Sequence, residues 1–176
     1  MSRASSRRKQ RGFTILEVLI VVGIIIIVAA IAIPHLLRAR VAASEAAAVG
    51  ALRTINTAQV GYLQVYPDLG TYACSLAYLG PPLGGGQPNA TAAALVDDDL
   101  AAGAKSGYQF YMNCTPPAAD GSTGYEVKTA PAGVSITGSE CGSDNGRCFY
   151  TNMNGSIYQL MGTASSGVGY ALAPIS

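Results

Sequence analysis

With 176 residues, 49% hydrophobic and only 12% charged side chains, the chain has room for one membrane-anchoring helix and one ordinary globular domain, which excludes two full soluble domains. Its formal charge of +1 hides an asymmetry: Arg3, Arg7, Arg8, Lys9 and Arg11 crowd the first 12 residues without an acid, while residues 13–176 set six basic against ten acidic side chains. The single dense basic cluster is therefore the extreme N-terminus, which suits membrane orientation or a basic tail and gives no nucleic-acid patch on the remainder.

From Phe13 to Ile33 the chain reads FTILEVLIVVGIIIIVAAIAI, and the 16 residues from Val18 onward carry no charged or hydrogen-bonding side chain. At about 1.5 Å per residue, this run reaches roughly 31 Å, close to the thickness of a hydrocarbon core. A backbone crossing lipid must satisfy its own amides, so the segment is expected to be helical despite its many β-branched residues. Five cations before it against Arg38 and Arg40 after it keep the N-terminus cytoplasmic and place the bulk of the chain outside.

Glu17 interrupts the apolar run near its start, where a charge deep in the bilayer would cost roughly 2.5–3.5 kcal/mol. Either it snorkels to the interface or it has a positive partner. Cleavage between Gly12 and Phe13 would create such a partner, an α-amino group at the start of the same helix.

The run Arg11, Gly12, Phe13, Thr14, Ile15, Leu16, Glu17, with the apolar stretch behind it, resembles the type III signal of type IV prepilins. That resemblance implies removal of residues 1–12 by a prepilin peptidase on the cytoplasmic face and N-methylation of Phe13, with the apolar helix retained. It implies that Glu17 pairs with the Phe13 amine of a neighbouring subunit during assembly. It further implies that the stretch between Gly23 and Pro34, both helix-weakening residues, loses helicity when subunits pack; a simple membrane kink would use the same two residues. An ordinary secretory signal would instead cut behind the Ala30-Ile31-Ala32 box. The apolar run exceeds the usual length of about 7–15 residues for such a signal, and Glu17 has no rationale inside a discarded one.

Residues 13–34 thus read as a transmembrane and filament-core helix and 35–66 as its amphipathic half. In the latter, Val41, Ala48, Leu52, Ile55 and Tyr62 recur at spacings of three, four or seven, with Arg40, Ser44, Arg53, Asn56, Thr57 and Gln64 elsewhere on the wheel. A helix from Phe13 to about Tyr66, stopped by Pro67, would extend roughly 80 Å.

Residues 67–107 read as a connecting loop. Gly70, Pro81, Pro82, Gly84, Gly85, Gly86 and Pro88 punctuate it, a weak element lies around Ala73 to Leu79, and a short helix is expected from Val96 to Ala104. Asp97, Asp98 and Asp99 would place negative charge at that helix's positive end. Three consecutive acids lack the alternating spacing of a calcium loop, so no metal and no cofactor is expected.

Residues 108–161 read as an antiparallel sheet. Tyr108, Phe110 and Met112 alternate with Gln109, Tyr111 and Asn113, and Tyr125 and Val127 with Glu126 and Lys128. Residues 148–153 form a further strand, and Asn154 with Gly155 is expected to supply the two positive-φ positions of a tight turn into 156–160. The sheet's apolar face needs a cover, and the helix around 41–63 is the long amphipathic partner for it, so the expected class is α+β. Residues 162–176 show no period and read as a surface tail.

Cysteines stand at 74, 114, 141 and 148 with no C-x-x-C pair, and four beyond an apolar export segment read as two disulfides in an oxidising compartment. Three connectivities are open; the short loop between Cys141 and Cys148 makes that pairing the simplest, which leaves Cys74 with Cys114. The segments NTAQVGYLQVYPDLGTYACSLAYLG, LAAGAKSGYQFYM, GYEVKTAPAG and CFYTNMNGSIY also look like the globular part of certain bacterial type IV pilins, in which a helix is wrapped by a sheet.

An enzyme is not expected, because His35 is the sole histidine, sits at the membrane boundary, and no nucleophile has a base suggested beside it. Most of the ten tyrosines have packing positions, and the sequons at Asn89, Asn113 and Asn154 are expected by chance. The resemblance implies a structural filament subunit for adhesion, twitching motility or DNA uptake, anchored in the inner membrane and then extracellular. Its implied partners are copies of itself, the prepilin peptidase, and the assembly platform and motor, with no nucleic-acid contact for the monomer. A type II secretion pseudopilin shares the leader but in its major form carries a calcium loop and lacks cysteines. From another class, the chain could be a membrane-tethered binding module that never polymerises.

Overall fold

Fifty-one consecutive residues, Ile15–Val65, form helix α1 in the computed structural model, which describes residues 12–115, 124–134, 136–137, 140–141, 147–160 and 173–174. The chain divides into two compact units, Met1–Arg40 and Val41–Ser176, and α1 contributes to each. It runs without interruption through Gly23 and Pro34. Proline has no amide to donate to the preceding turn, yet the ladder on either side carries the helix across it. The end of α1 is set by Tyr66-Pro67: Pro67 pushes the residue before it out of the helical region, and Tyr66 stands at φ −123°, ψ 60°. A 3-10 turn, Pro67–Leu69, follows and is closed by Gly70 at φ 60°.

Within Val41–Ser176, α1 buries Ala48, Ala51, Leu52, Ile55, Ala58, Gln59 and Tyr62, one face at helical spacing. These residues share a core with Tyr108, Phe110, Tyr125, Val127, Phe149 and Ile157. Val41, expected on the same stripe, is 46% exposed: it lies about two turns before Ala48, the first buried residue. The stripe also holds a polar residue that the periodicity did not flag. Gln59 is fully buried; its Nε2 donates to the Ala73 carbonyl and its Oε1 accepts from the Ala73 amide, each at 2.9 Å. One carboxamide thereby satisfies both backbone groups of a buried residue in the strap that leaves α1.

Two short helices, α2 (Leu76–Leu79) and α3 (Asp98–Ala101), lie in the connection. They pack so closely that a Cβ added at Gly80 would collide with the Cβ of Ala101. Helix α3 is shorter than the expected 96–104, and Asp97 does not cap it with its side chain. Instead the Asp97 carboxylate accepts from Lys105 Nζ at 2.7 Å, and that hydrogen bond holds its carboxyl below the usual range. Asp98 and Asp99 do stand in the first turn.

The strands are β1 (Ala104–Lys105), β2 (Tyr108–Thr115), β3 (Gly124–Pro131), β4 (Ile136–Thr137), β5 (Glu140–Cys141), β6 (Cys148–Asn152), β7 (Ile157–Leu160) and β8 (Ala173–Pro174). One sheet has the order β1-β2-β3-β6-β7-β8 with every pairing antiparallel, and β4 with β5 forms a separate ribbon. The register sets Met112 opposite Val127 and Val127 opposite the buried Thr151, so the period-two inward face continues across these strands. Long helix plus antiparallel sheet is the α+β layout expected.

Three details differ from the sequence reading. The sheet starts at β1, inside the segment read as connection. Ala173–Pro174, within the expected surface tail, pairs with Tyr158 and Gln159 as an edge strand, a position that tolerates proline. The hairpin after β6 is not a two-residue turn: Gly155 is at φ 74°, but Asn154 is not among the positive-φ residues. Its amide donates to Asn152 Oδ1 at 3.1 Å and the Gly155 amide to the Asn152 carbonyl at 2.9 Å, so the Asn152 side chain builds a longer loop between Thr151 and Ile157.

Cys74 and Cys114 are disulfide-bonded, with Cα atoms 5.0 Å apart. Cys148 is also disulfide-bonded, whereas the side chain of Cys141 lies outside the described residues.

Two buried tyrosines tie the sheet to its surroundings. Tyr125 donates its hydroxyl to Asn56 Oδ1 of α1 at 2.9 Å, and Tyr108 donates to the Arg147 carbonyl at 3.1 Å. Burial pushes both phenols up to about 12; at Tyr108 the Glu45 charge adds to it and Arg147 opposes it. The unfolded chain, with phenols near 10, releases these protons first, so stability present below about pH 10 is lost as pH rises toward 12. Absorbance titration should show Tyr108 and Tyr125 ionising last, together with loss of near-ultraviolet circular dichroism. Both Tyr→Phe variants should flatten that loss.

Candidate assembly site at the start of the long helix

Gly12, Phe13 and Thr14 precede α1 in non-helical conformation, and Phe13 is 76% exposed. The helix begins because Thr14 caps it. Thr14 Oγ1 accepts from the Glu17 amide at 3.2 Å, and the Thr14 carbonyl accepts from the Glu17 and Val18 amides at 3.1 and 3.3 Å. Thr14 with Glu17 three residues on is the sequence form of a capping box. Its Thr-x-x-Glu spacing ahead of an apolar run was the signal that could have flagged Thr14, which the sequence reading passed over.

The cap places the Glu17 carboxylate in the first turn, where the helix dipole favours negative charge by about 0.3–1 kcal/mol. Among the described residues no ion pair or side-chain hydrogen bond reaches that carboxylate. The site is thus a solvent-facing peptide bond at Gly12–Phe13, a hydroxyl cap, and a carboxylate one turn into the helix.

Beyond it the apolar side chains face outward on all sides: Leu16 is 68% exposed, Val22 47% and Ile27 66%. A helix apolar around its whole circumference suits lipid or the interior of a larger assembly, not water. Among the described residues α1 is the one helix long and apolar enough to cross a membrane. Gly23 and Pro34 lie inside this stretch, and a Cβ at Gly12 or Gly23 would meet nothing within 4 Å among the described residues. The cysteines belong to the other unit.

Residues 7–33 match the family model described as the prokaryotic N-terminal methylation motif. Comparison with curated proteins finds no match, and comparison with solved structures finds none either. The matched span covers four of the five leading basic residues, the Gly12–Phe13 bond, Glu17 and the apolar run together. The chain thus carries the N-terminal methylation motif, the signal of type IV pilins and pseudopilins, at the start of a long helix that is followed by an antiparallel sheet.

Proposed function

We propose that this protein is a structural subunit of a type IV pilus-like filament, cut between Gly12 and Phe13, N-methylated at Phe13 and polymerised through α1. The reading is carried by one observation: a carboxylate that has no partner among the described residues, in the first turn of a helix whose stretch through Ile33 is otherwise apolar and largely exposed. In lipid or in a filament interior such a charge requires a counter-charge, and the amine of a neighbouring Phe13 supplies it. Gly12 fits the same account: in this reading a prepilin peptidase recognises the small residue before the cut. The subunit waits in the inner membrane and then passes through an assembly platform and motor to an extracellular filament. There the stretch from Gly23 to Pro34 loses helicity as helices crowd. The chain's role is architectural and not catalytic.

The same signal serves secretion pseudopilins. The four cysteines, with Cys74 joined to Cys114, favour the pilus reading; we assign the remaining bond to Cys141 and Cys148. Immunogold electron microscopy of sheared surface material, with antibody raised to the unit beyond residue 40, tests it. Labelled filaments are expected, and label confined to the inner membrane would overturn the proposal.

A further inference from the structure

We infer that Cys74–Cys114 is a preorganised thiol–disulfide exchange site of the folded protein, open to a dithiol protein from outside, whereas the buried sulfur of Cys148 is out of reach of one. Access differs first: Cys74 is exposed and Cys114 half-buried, whereas Cys148 is 0% exposed. Exposed disulfides are the ones that exchange with external thiols. The inference concerns the folded unit and stands apart from the filament reading.

The strap carrying Cys74 is also held without its sulfur. Gln59 grips both backbone groups of Ala73, the preceding residue, which is 1% exposed. Tyr72 packs edge-on against Tyr125 with ring centroids 4.9 Å apart, and Tyr125 is the residue directly opposite Cys114 in the β2–β3 register. Contacts to α1 and to β3 thus keep Cys74 beside Cys114 whether or not the bond exists. Oxidation here follows folding, and reduction leaves the fold standing.

The exchange balances simply. A thiolate of the dithiol attacks Cys74 Sγ, the sulfur–sulfur bond breaks, and Cys114 leaves as a thiolate that takes up a proton. The second thiol then attacks the partner's own sulfur in the mixed disulfide, releasing Cys74 as a thiol and leaving the partner oxidised. Two electrons pass to Cys74–Cys114, and the reverse sequence with an oxidised partner closes the bond.

The test uses the full chain in detergent with dithiothreitol and no denaturant, iodoacetamide trapping and peptide mass spectrometry. Cys74 and Cys114 should label together, at least about ten-fold faster than Cys148, with near-ultraviolet circular dichroism retained. Equal labelling of Cys148, resistance of Cys74 until denaturant is added, or loss of the tyrosine signal as label enters would each overturn the inference. A Cys74→Ser/Cys114→Ser double variant should keep the wild-type tyrosine signal at room temperature. Failure of that variant to fold would show that the strap depends on its sulfur, which contradicts the inference.

Discussion

Glu17→Lys should abolish filament formation while leaving the chain in the membrane. The substitution puts a cation where the account needs an anion, one turn into α1 and near the amine that processing exposes. Breaking a desolvated ion pair by altering one partner costs about 3–5 kcal/mol, which is roughly a hundred-fold to several-thousand-fold loss at each subunit contact. Insertion has no such dependence, because the uninterrupted run from Val18 onward is unchanged. Fractionation should find the variant in the inner membrane at wild-type abundance, and sheared fractions should contain no filaments. Glu17→Gln, which keeps the shape and removes the charge, should fall between. A tethered monomer would be indifferent to both variants, so wild-type filament yield from Glu17→Lys would remove the reason for treating Glu17 as an assembly residue.

The largest effect on the globular unit is expected from Gln59→Leu. Leucine matches glutamine closely in size and would suit a helix face that already carries Leu52 and Ile55, so on hydrophobicity alone the change looks benign. It would, however, strip both hydrogen bonds from Ala73, which is 1% exposed and has no route to water as a replacement. Each unsatisfied buried group costs about 1–3 kcal/mol, so the pair is worth roughly 2–6 kcal/mol, a large share of a domain's stability. Denaturant unfolding of the oxidised protein should show a midpoint well below wild type with an unchanged slope. Gln59→Glu should also destabilise, because a carboxylate accepts from the Ala73 amide but cannot donate to its carbonyl.

What could be read from the sequence was what depends on few residues and strong forces. The span after Val18 had to be helical because lipid leaves the backbone no alternative, and the Tyr66-Pro67 pair had to stop it because proline restricts its predecessor. Alternation in Tyr108, Phe110 and Met112 gave β2 its inward face for the same local reason. The misses are places where a distant partner decides. Gln59 is buried because its carboxamide meets both backbone groups of Ala73, a partner that the helical period does not reveal. The hairpin after β6 followed the Asn152 side chain, with Asn56 of α1 donating to the Gly155 carbonyl at 3.2 Å, and not the Asn-Gly pair alone. Ala173–Pro174 became a strand because β7 had an edge to pair, which no periodicity within the tail announces. At the candidate site, Glu17 stood out by its charge within the apolar run, while Gly12 and Phe13 were singled out by the resemblance of the leader. The Thr14 cap serves the Glu17 amide, a backbone group that charge and hydropathy do not display.

The central claim is that a greasy helix tolerates Glu17 because cutting beside Phe13 frees an amine for it. Mass spectrometry of the N-terminal peptide from the exported protein measures this directly. The account predicts a chain that starts at Phe13 and carries one methyl group on its α-nitrogen. A chain starting at Ile31 or Ile33, with the apolar first part of α1 cut away, would contradict it.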